Sequence, residues 1–138
     1  LYAYDVSEGA LYVFFVLLLL TLKDTPRIFA LDNVDSTLNP GMVRNLVGKI
    51  VEHTKKNDRQ IFMTTHNPTA LDAIDIFDPD QRIFIVKRNS RSGATLVDRV
   101  LPPPGITKEL WSEAHSGMRL SNLWLDGMFE GALPPSGF

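Results

Sequence analysis

The stretch from residue 28 to residue 40, IFALDNVDSTLNP, decides the fold prediction for this chain. Four apolar residues, Ile28 to Leu31, lead directly to the carboxylate of Asp32. Such a run is typical of a fully buried parallel strand, and the carboxyl ends of parallel strands face the ligand in an open α/β sheet. A carboxylate at that edge suits Mg²⁺ carried by a nucleotide phosphate. Taken alone, an Asp that caps the next turn is the simpler interpretation.

Two further segments place polar groups at the ends of predicted elements. The sequence QIFMTTHNPTALD, residues 60 to 72, predicts a strand that ends just before His66, with Thr65 and Asn67 available to position that loop. Upstream, YDVSEGAL at residues 4 to 11 leads into a helix. Ser7 as N-cap explains this start, although a Ser hydroxyl and a Gly N–H at a helix N-terminus also form an anion site.

The apolar residues ALYVFFVLLLL, at positions 10 to 20, raise the question of a membrane span. Extended to Leu22, the run has about 13 residues, and a helix needs ~20 to cross a bilayer. The pattern therefore predicts a core helix that is buried on most of its circumference. Positions 41 to 56 predict an amphipathic helix, because apolar residues recur there at helical spacing.

The composition is that of an ordinary soluble domain. The chain has 138 residues, 44% of them hydrophobic, and a formal net charge of -2, so it has no global basic field for nucleic acid. It contains no cysteine, which excludes a disulfide framework and a thiolate metal site. These features are compatible with a cytoplasmic location.

The second half of the sequence is less informative. Residues 82 to 88 and 94 to 100 read as two strands of a hairpin, and a solvated hairpin is the simplest explanation of its basic residues. Residues 69 to 74 predict a short helix capped by Thr69, and residues 107 to 115 a second one. Large apolar side chains in the tail suggest docking onto the protein or a partner, namely Trp124, Leu125, Met128 and Phe129.

The order of these motifs resembles the C-terminal half of an ABC-type ATPase head. Its features are a Ser-x-Gly before a helix, a strand ending in Asp and a strand ending in His, and they cover residues 4 to 75. The likeness is to heads of the SMC, RecF and OLD-nuclease kind and to AAA ATPases of bacterial anti-phage defence. The resemblance implies an α/β lobe of a P-loop ATPase, with a mainly parallel sheet flanked by helices and a terminal β-hairpin. Residues 1–100 would carry the head motifs, and residues 101–138 would form a docking segment rich in Pro, Gly and aromatic residues.

The same resemblance implies the cofactors ATP and Mg²⁺ and a role for each motif residue. Asp32 would hold Mg²⁺ through water, and His66 would contact the γ-phosphate. The signature motif, Ser7, Glu8 and Gly9, would reach the nucleotide of a second copy of the head. Asn39 lies in the segment that corresponds to the D-loop.

One position departs from the family pattern. Asn33 stands where hydrolytic heads place the Glu that activates water, and an amide orients water but does not accept its proton. Hydrolysis is then expected to be slow, or Asp35 substitutes as the base. An Asp-Asn pair is also common in defence ATPases, so a subfamily trait explains it equally well.

The chain starts without Met and contains no G-x-x-x-x-G-K-[ST] phosphate loop. We therefore expect a C-terminal piece of a longer ATPase that dimerises on ATP and controls an effector such as a nuclease in antiviral defence. Nucleic acid is a candidate for a further partner, and no membrane is expected. Two alternatives stay open. One is a DNA-repair or chromosome-maintenance ATPase, and the other is a non-catalytic assembly scaffold.

Overall fold

The computed structural model describes residues 7–115 and 117–127. The chain folds into two compact units, which divide between Ile74 and Asp75. In chain order the elements are α1 (Glu8–Thr21), β1 (Ile28–Leu31), α2 (Pro40–Lys56), β2 (Gln60–Met63), a 3-10 helix (Pro68–Ala73), β3 (Ile83–Arg88), β4 (Thr95–Val100), α3 (Lys108–Ala114) and α4 (Leu120–Leu125).

The first unit contains a small parallel sheet of two strands. β1 and β2 pair in the register that sets Ile28 beside Gln60 and Leu31 beside Met63. One face of the pair lies in the hydrophobic core with side chains of α1 and α2, whereas Ile28 and Phe62 on the other face are 62% and 56% exposed. The prediction of a fully buried strand was therefore wrong, because within the described residues only one face of the sheet is covered.

Helix α1 forms where its apolar run predicts it. The Ser7 hydroxyl accepts a hydrogen bond from the Ala10 N–H, so Ser7 is the N-cap as expected. Val16 and Leu20 are fully buried in the core. The predicted burial around most of the helix was wrong, because the opposite side carries an exposed apolar stripe at helical spacing, Leu11, Phe14, Phe15, Leu18 and Leu22.

No helix in the described part of the chain is long and apolar enough to span a bilayer.

Two helices after the strands begin at side-chain caps. The Asn39 side chain accepts a hydrogen bond from the Met42 N–H, 3.0 Å away, at the start of α2, and the buried face of α2 faces the core as its periodicity predicts. In the 3-10 helix the cap is Asn67, which accepts from the Thr69 N–H. The prediction of Thr69 as the cap was wrong, because Pro68 occupies the first helical position and leaves the preceding residue as N-cap.

The C-terminal end of α1 is closed by side chains from the turn before β2. The Arg59 guanidinium donates to the carbonyl oxygens of Leu19, at 2.6 Å, and of Leu22. Asn57 Nδ2 donates to the Leu20 carbonyl oxygen at 3.1 Å. The last carbonyls of a helix lack partners within the helix and carry partial negative charge, so a cation that donates to them stabilises its end.

The second unit contains an antiparallel pair, β3 with β4, in which Ile83 lies opposite Val100. Ile85 and Leu123 form its small buried core, and parts of the tail complete it, namely Trp111, Leu120 and Trp124. The hairpin and the first part of the tail therefore share one core. The assignment of the head motifs to residues 1–100 and of a docking segment to residues 101–138 stays a prediction. Met128 and Phe129 lie outside the described residues.

Substitution of Arg59 tests how much this helix closure stabilises the fold. We expect Arg59→Ala to lower the free energy of unfolding by about 2 kcal/mol, because it removes charge-assisted hydrogen bonds and leaves the single hydroxyl hydrogen of Thr25 to serve both carbonyl oxygens. Denaturant unfolding measures the change. As a control, Arg27→Ala removes the ion pair between Arg27 and Asp58, two side chains that are 74% and 89% exposed. We expect little effect on stability, because exposed ion pairs contribute little to it. Equal losses for both variants would contradict this role for Arg59.

Candidate functional site

Asp32 and Thr64 meet at the carboxyl ends of the two parallel strands. The register sets Leu31 beside Met63, so the next residue of each strand falls side by side. The Thr64 hydroxyl donates a hydrogen bond to Asp32 Oδ1 and accepts one from the Asn33 N–H at 2.8 Å. The Thr64 hydroxyl therefore joins the end of β2 to the acid that follows β1.

A second hydroxyl and carboxylate pair lies one residue further along the loop after β2 and three residues further along the loop after β1. Thr65 Oγ1 donates to Asp35 Oδ1 at 2.7 Å, and it accepts a hydrogen bond from the Asn67 N–H at 3.0 Å. Asp35 is half-buried, whereas Asp32 is exposed. The structure thus holds both predicted acids in place through hydroxyl groups of the Thr-Thr segment.

His66 and Asn33 are exposed, and each adjoins in the chain a residue of these hydroxyl and carboxylate pairs. His66 follows Thr65 directly, is exposed, and makes no side-chain hydrogen bond within the described residues. Asn33 adopts a left-handed backbone conformation, with φ of 48°. Asn tolerates this conformation better than most residues do, which gives a local reason for Asn here in addition to any role in chemistry.

Tyr12 of α1 lies close enough to Asp32 and Asp35 for their negative charges to shift the pKa of its phenol. Burial raises the pKa of the Tyr12 phenol, and the negative charges of Asp35 and Asp32 raise it further. The phenol oxygen is buried and has no hydrogen-bond partner among the described residues. Tyr12 carries no signal in the sequence that distinguishes it, because the pattern of α1 marks it only as one more apolar position of a core helix.

The predicted signature residues have clear structural roles in the unit itself. Ser7 caps α1, and Glu8 is exposed in its first turn. Gly9 is buried against the loop after β1, where a Cβ atom would lie 2.7 Å from the Thr37 carbonyl oxygen and 3.1 Å from a methyl group of Leu38. Only glycine lets the start of α1 approach this loop so closely.

The surroundings of Asp32 fit a magnesium ion held through water. One carboxylate oxygen is fixed by Thr64, and the other has no hydrogen-bond partner among the residues that the structure describes. Mg²⁺ keeps several of its waters in proteins and usually takes one or two carboxylates together with substrate phosphates. An exposed carboxylate with one open oxygen at this edge of the sheet offers the contact that such an ion needs.

Substitution of Gly9 tests the contact between α1 and the loop. We expect Gly9→Ala to destabilise the fold by about 1–3 kcal/mol, because backbone atoms must shift to admit the methyl group. Gly48→Ala, in helix α2, is the matched control, since among the described residues outside that helix's backbone its Cβ would come within 4 Å of Ala73 Cβ alone, at 3.9 Å. It should stabilise the protein by about 0.5–1 kcal/mol. Thermal unfolding of both variants checks the signs, and a stabilising Gly9→Ala would refute the close contact.

One solved structure shows a related fold. A chain of an SMC ATPase, from a study of ATP-driven dimerization and DNA-stimulated activation of SMC ATPases, aligns with a TM-score of 0.51 at 18% identity. The alignment covers 82% of this chain and 62% of the SMC ATPase chain, so this chain spans less than two thirds of that length. At this identity the likeness concerns the fold alone. No curated protein matches the chain.

The comparison with protein families concerns the first unit. The family model described as AAA domain, putative AbiEii toxin, type IV TA system matches residues 1–72, more than half of the chain. This span holds α1, both strands of the parallel sheet and the residues gathered at its edge. The match agrees with the resemblance to ABC-type AAA ATPases that the sequence motifs indicate. The chain therefore belongs to the AAA-domain family of the putative AbiEii toxin, and its resemblance to ABC-type ATPases is confirmed.

Proposed function

We propose that this chain forms part of an ATP-driven switch that controls an associated effector, such as a nuclease, in anti-phage defence. Its family supports a nucleotide-binding ATPase. The observation that carries the proposal is the pair of carboxylates, Asp32 and Asp35, held at the carboxyl ends of parallel strands by hydroxyl groups. This is the edge of an α/β sheet at which ligands bind.

In this proposal each residue at the carboxyl edge of the parallel sheet has its own role in ATP hydrolysis. Asp32 holds Mg²⁺ through water, and the ion offsets the negative charge of the phosphates. The exposed imidazole of His66 donates a hydrogen bond to the γ-phosphate. Asn33 orients the attacking water, and Asp35 is the nearest carboxylate that accepts its proton.

The switch itself requires two copies of the head. Ser7 and Gly9 of one copy, with Glu8 between them and Asn39 nearby in the loop before α2, close the nucleotide site of the other. A ligand shifts an equilibrium only by its difference in affinity for the two states, so ATP drives dimerisation if it binds the closed dimer more tightly. The SMC ATPase with the related fold comes from work on ATP-driven dimerization, which supports this arrangement.

We place the protein in the cytoplasm.

Substitutions at the two strand ends test nucleotide use in the full-length protein. We expect Asp32→Asn to weaken Mg²⁺-dependent ATP binding and to abolish hydrolysis, because the amide keeps the shape but loses the charge that holds the ion. His66→Ala should keep ATP binding and lose at least 10²-fold in hydrolysis rate, as expected when a group that stabilises the transition state is removed. Equilibrium binding and phosphate release measure these changes.

The control for His66 is His53, a half-buried residue in α2 to which the sequence assigns no chemistry. His53→Ala should leave binding and hydrolysis at the wild-type level. Sedimentation with and without ATP measures whether ATP drives dimerisation. Unchanged hydrolysis in both Asp32→Asn and His66→Ala would refute the site, and a wild-type protein that binds no ATP would favour the assembly scaffold instead.

Substitution of Asn33 tests why turnover is expected to be slow. Asn33→Glu supplies a carboxylate at the position of the missing base and should raise the hydrolysis rate about tenfold or more, as general bases do. Asn33→Gly is the control, because glycine accepts the left-handed backbone but removes the amide. It should slow hydrolysis without loss of fold. No rate change in either variant, measured by phosphate release, would exclude a role for this position in the chemical step.

A second candidate is a DNA-repair or chromosome-maintenance ATPase with the same head. Its support is the fold shared with an SMC ATPase and the basic residues of the β3–β4 hairpin. Of these, Lys87 pairs with Asp98 at 2.7 Å, and the others are Arg88, Arg91 and Arg99. Stimulation of ATP hydrolysis by DNA would favour this candidate, whereas tight co-purification with an effector protein would favour the defence switch.

A further inference from the structure

Thr64 makes four hydrogen bonds to the segment that carries the acid. Two of them use its backbone: its N–H donates to the Leu31 carbonyl oxygen at 3.0 Å, and its carbonyl oxygen accepts from the Val34 N–H at 3.1 Å. The other two use its hydroxyl, which contacts Asp32 and Asn33. The backbone bonds are available to any residue at this position, but the hydroxyl bonds require Thr or Ser.

The hydroxyl has only one orientation that satisfies both contacts. The Asn33 N–H donates into a lone pair of Thr64 Oγ1, so the hydroxyl hydrogen is left to donate to Asp32 Oδ1. The β-branched side chain also has restricted freedom about its first torsion angle. Thr64 therefore presents a fixed donor to one oxygen of the carboxylate, and this fixes which oxygen stays open.

Strand formation alone does not explain a hydroxyl here. Thr64 follows the last residue of β2 and is exposed, so no requirement for burial selects its type. Val has the same shape and a comparable preference for extended structure. The hydroxyl is accounted for by the carboxylate and by the left-handed Asn33, whose N–H it receives.

We propose that Thr64 is the positioning residue for Asp32, and that its hydroxyl holds the carboxylate in the rotamer that leaves the second oxygen open to a magnesium-bound water. This inference rests on the proposed function, because it concerns the same nucleotide site. A hydroxyl bond to an ionised carboxylate is stronger than a neutral hydrogen bond, and it removes the need to order Asp32 when the ion arrives. Both contacts of the Thr64 hydroxyl are to Asp32 and the Asn33 N–H, so in this proposal it acts on the site through Asp32.

The experiment uses the full-length protein and measures equilibrium binding of a fluorescent ATP analogue over a series of Mg²⁺ concentrations and in EDTA. Thr64→Val should raise the Mg²⁺ concentration needed for half-maximal binding about tenfold, the scale expected for loss of a charge-assisted hydrogen bond. Nucleotide binding in EDTA should stay at the wild-type level. Thr64→Ser should restore the Mg²⁺ dependence of the wild type, because serine keeps the hydroxyl.

Thr54→Val is the matched control. Among the described residues, Thr54 Oγ1 donates to carbonyl oxygens within its own helix α2, those of Ile50 and Val51, so this variant loses a hydroxyl away from the site. It should leave the Mg²⁺ midpoint unchanged. If Thr64→Val does not fold, as judged by circular dichroism, Thr64→Ala serves as the second variant without a hydroxyl.

Two outcomes overturn the inference in distinguishable ways. A wild-type protein that needs Mg²⁺ for tight binding, with the same Mg²⁺ midpoint in Thr64→Val, leaves the proposed function intact and removes Thr64 from it. A wild-type protein whose nucleotide binding ignores Mg²⁺ removes both. In the first of these outcomes, a lower thermal stability of Thr64→Val beside its unchanged midpoint assigns Thr64 a structural role alone.

Discussion

The register of the parallel pair is the constraint on which the candidate site depends. With Leu31 beside Met63, the residues that follow the two strands fall opposite each other, and the Thr64 hydroxyl reaches Asp32. A shift of one residue would turn each side chain to the other face of the sheet. The core then fixes the register, since Phe29 and Leu31 must face the helices for the hydrophobic cluster to form.

Helix α1 connects this edge to the rest of the unit. Its first turn lies against the loop after β1 through Gly9, its Tyr12 lies near the acids, and Val16 and Leu20 enter the core. The exposed apolar stripe of α1, in contrast, takes no part in the core. Five large apolar side chains on one helix face form the kind of surface that folded proteins usually cover, and Ile28 and Phe62 on the bare face of the sheet are exposed as well.

Local patterns in the sequence predicted the positions of the elements in the first unit. The spacing of apolar residues located α1 and α2, and Ser7 marked the start of α1, since capping and periodicity depend on neighbours in sequence. Burial was predicted less well. An all-apolar helix does not reveal which of its sides meets a partner, so the exposed stripe could not be read from residues 10 to 20.

The chemistry of the edge was predictable only in part. Asp32 and His66 followed apolar strands, which marks them as residues at the carboxyl end. The hydrogen bonds of Thr64 depend on strand register, and the approach of Tyr12 depends on helix packing. Thr64 and Asp32 lie about thirty positions apart, and Tyr12 and the two acids belong to different parts of the fold. No local pattern in the chain encodes such contacts.

The closure of α1 by Arg59 has a consequence for the order in which this unit assembles. Its guanidinium donates to carbonyl groups 37 and 40 positions earlier in the chain, so these bonds form only once the turn before β2 has reached the end of α1. Contacts between distant segments pay the entropy of loop closure first and tend to form late in folding. The last turn of α1 and the start of β2 should therefore melt together, and fraying of either one exposes the other.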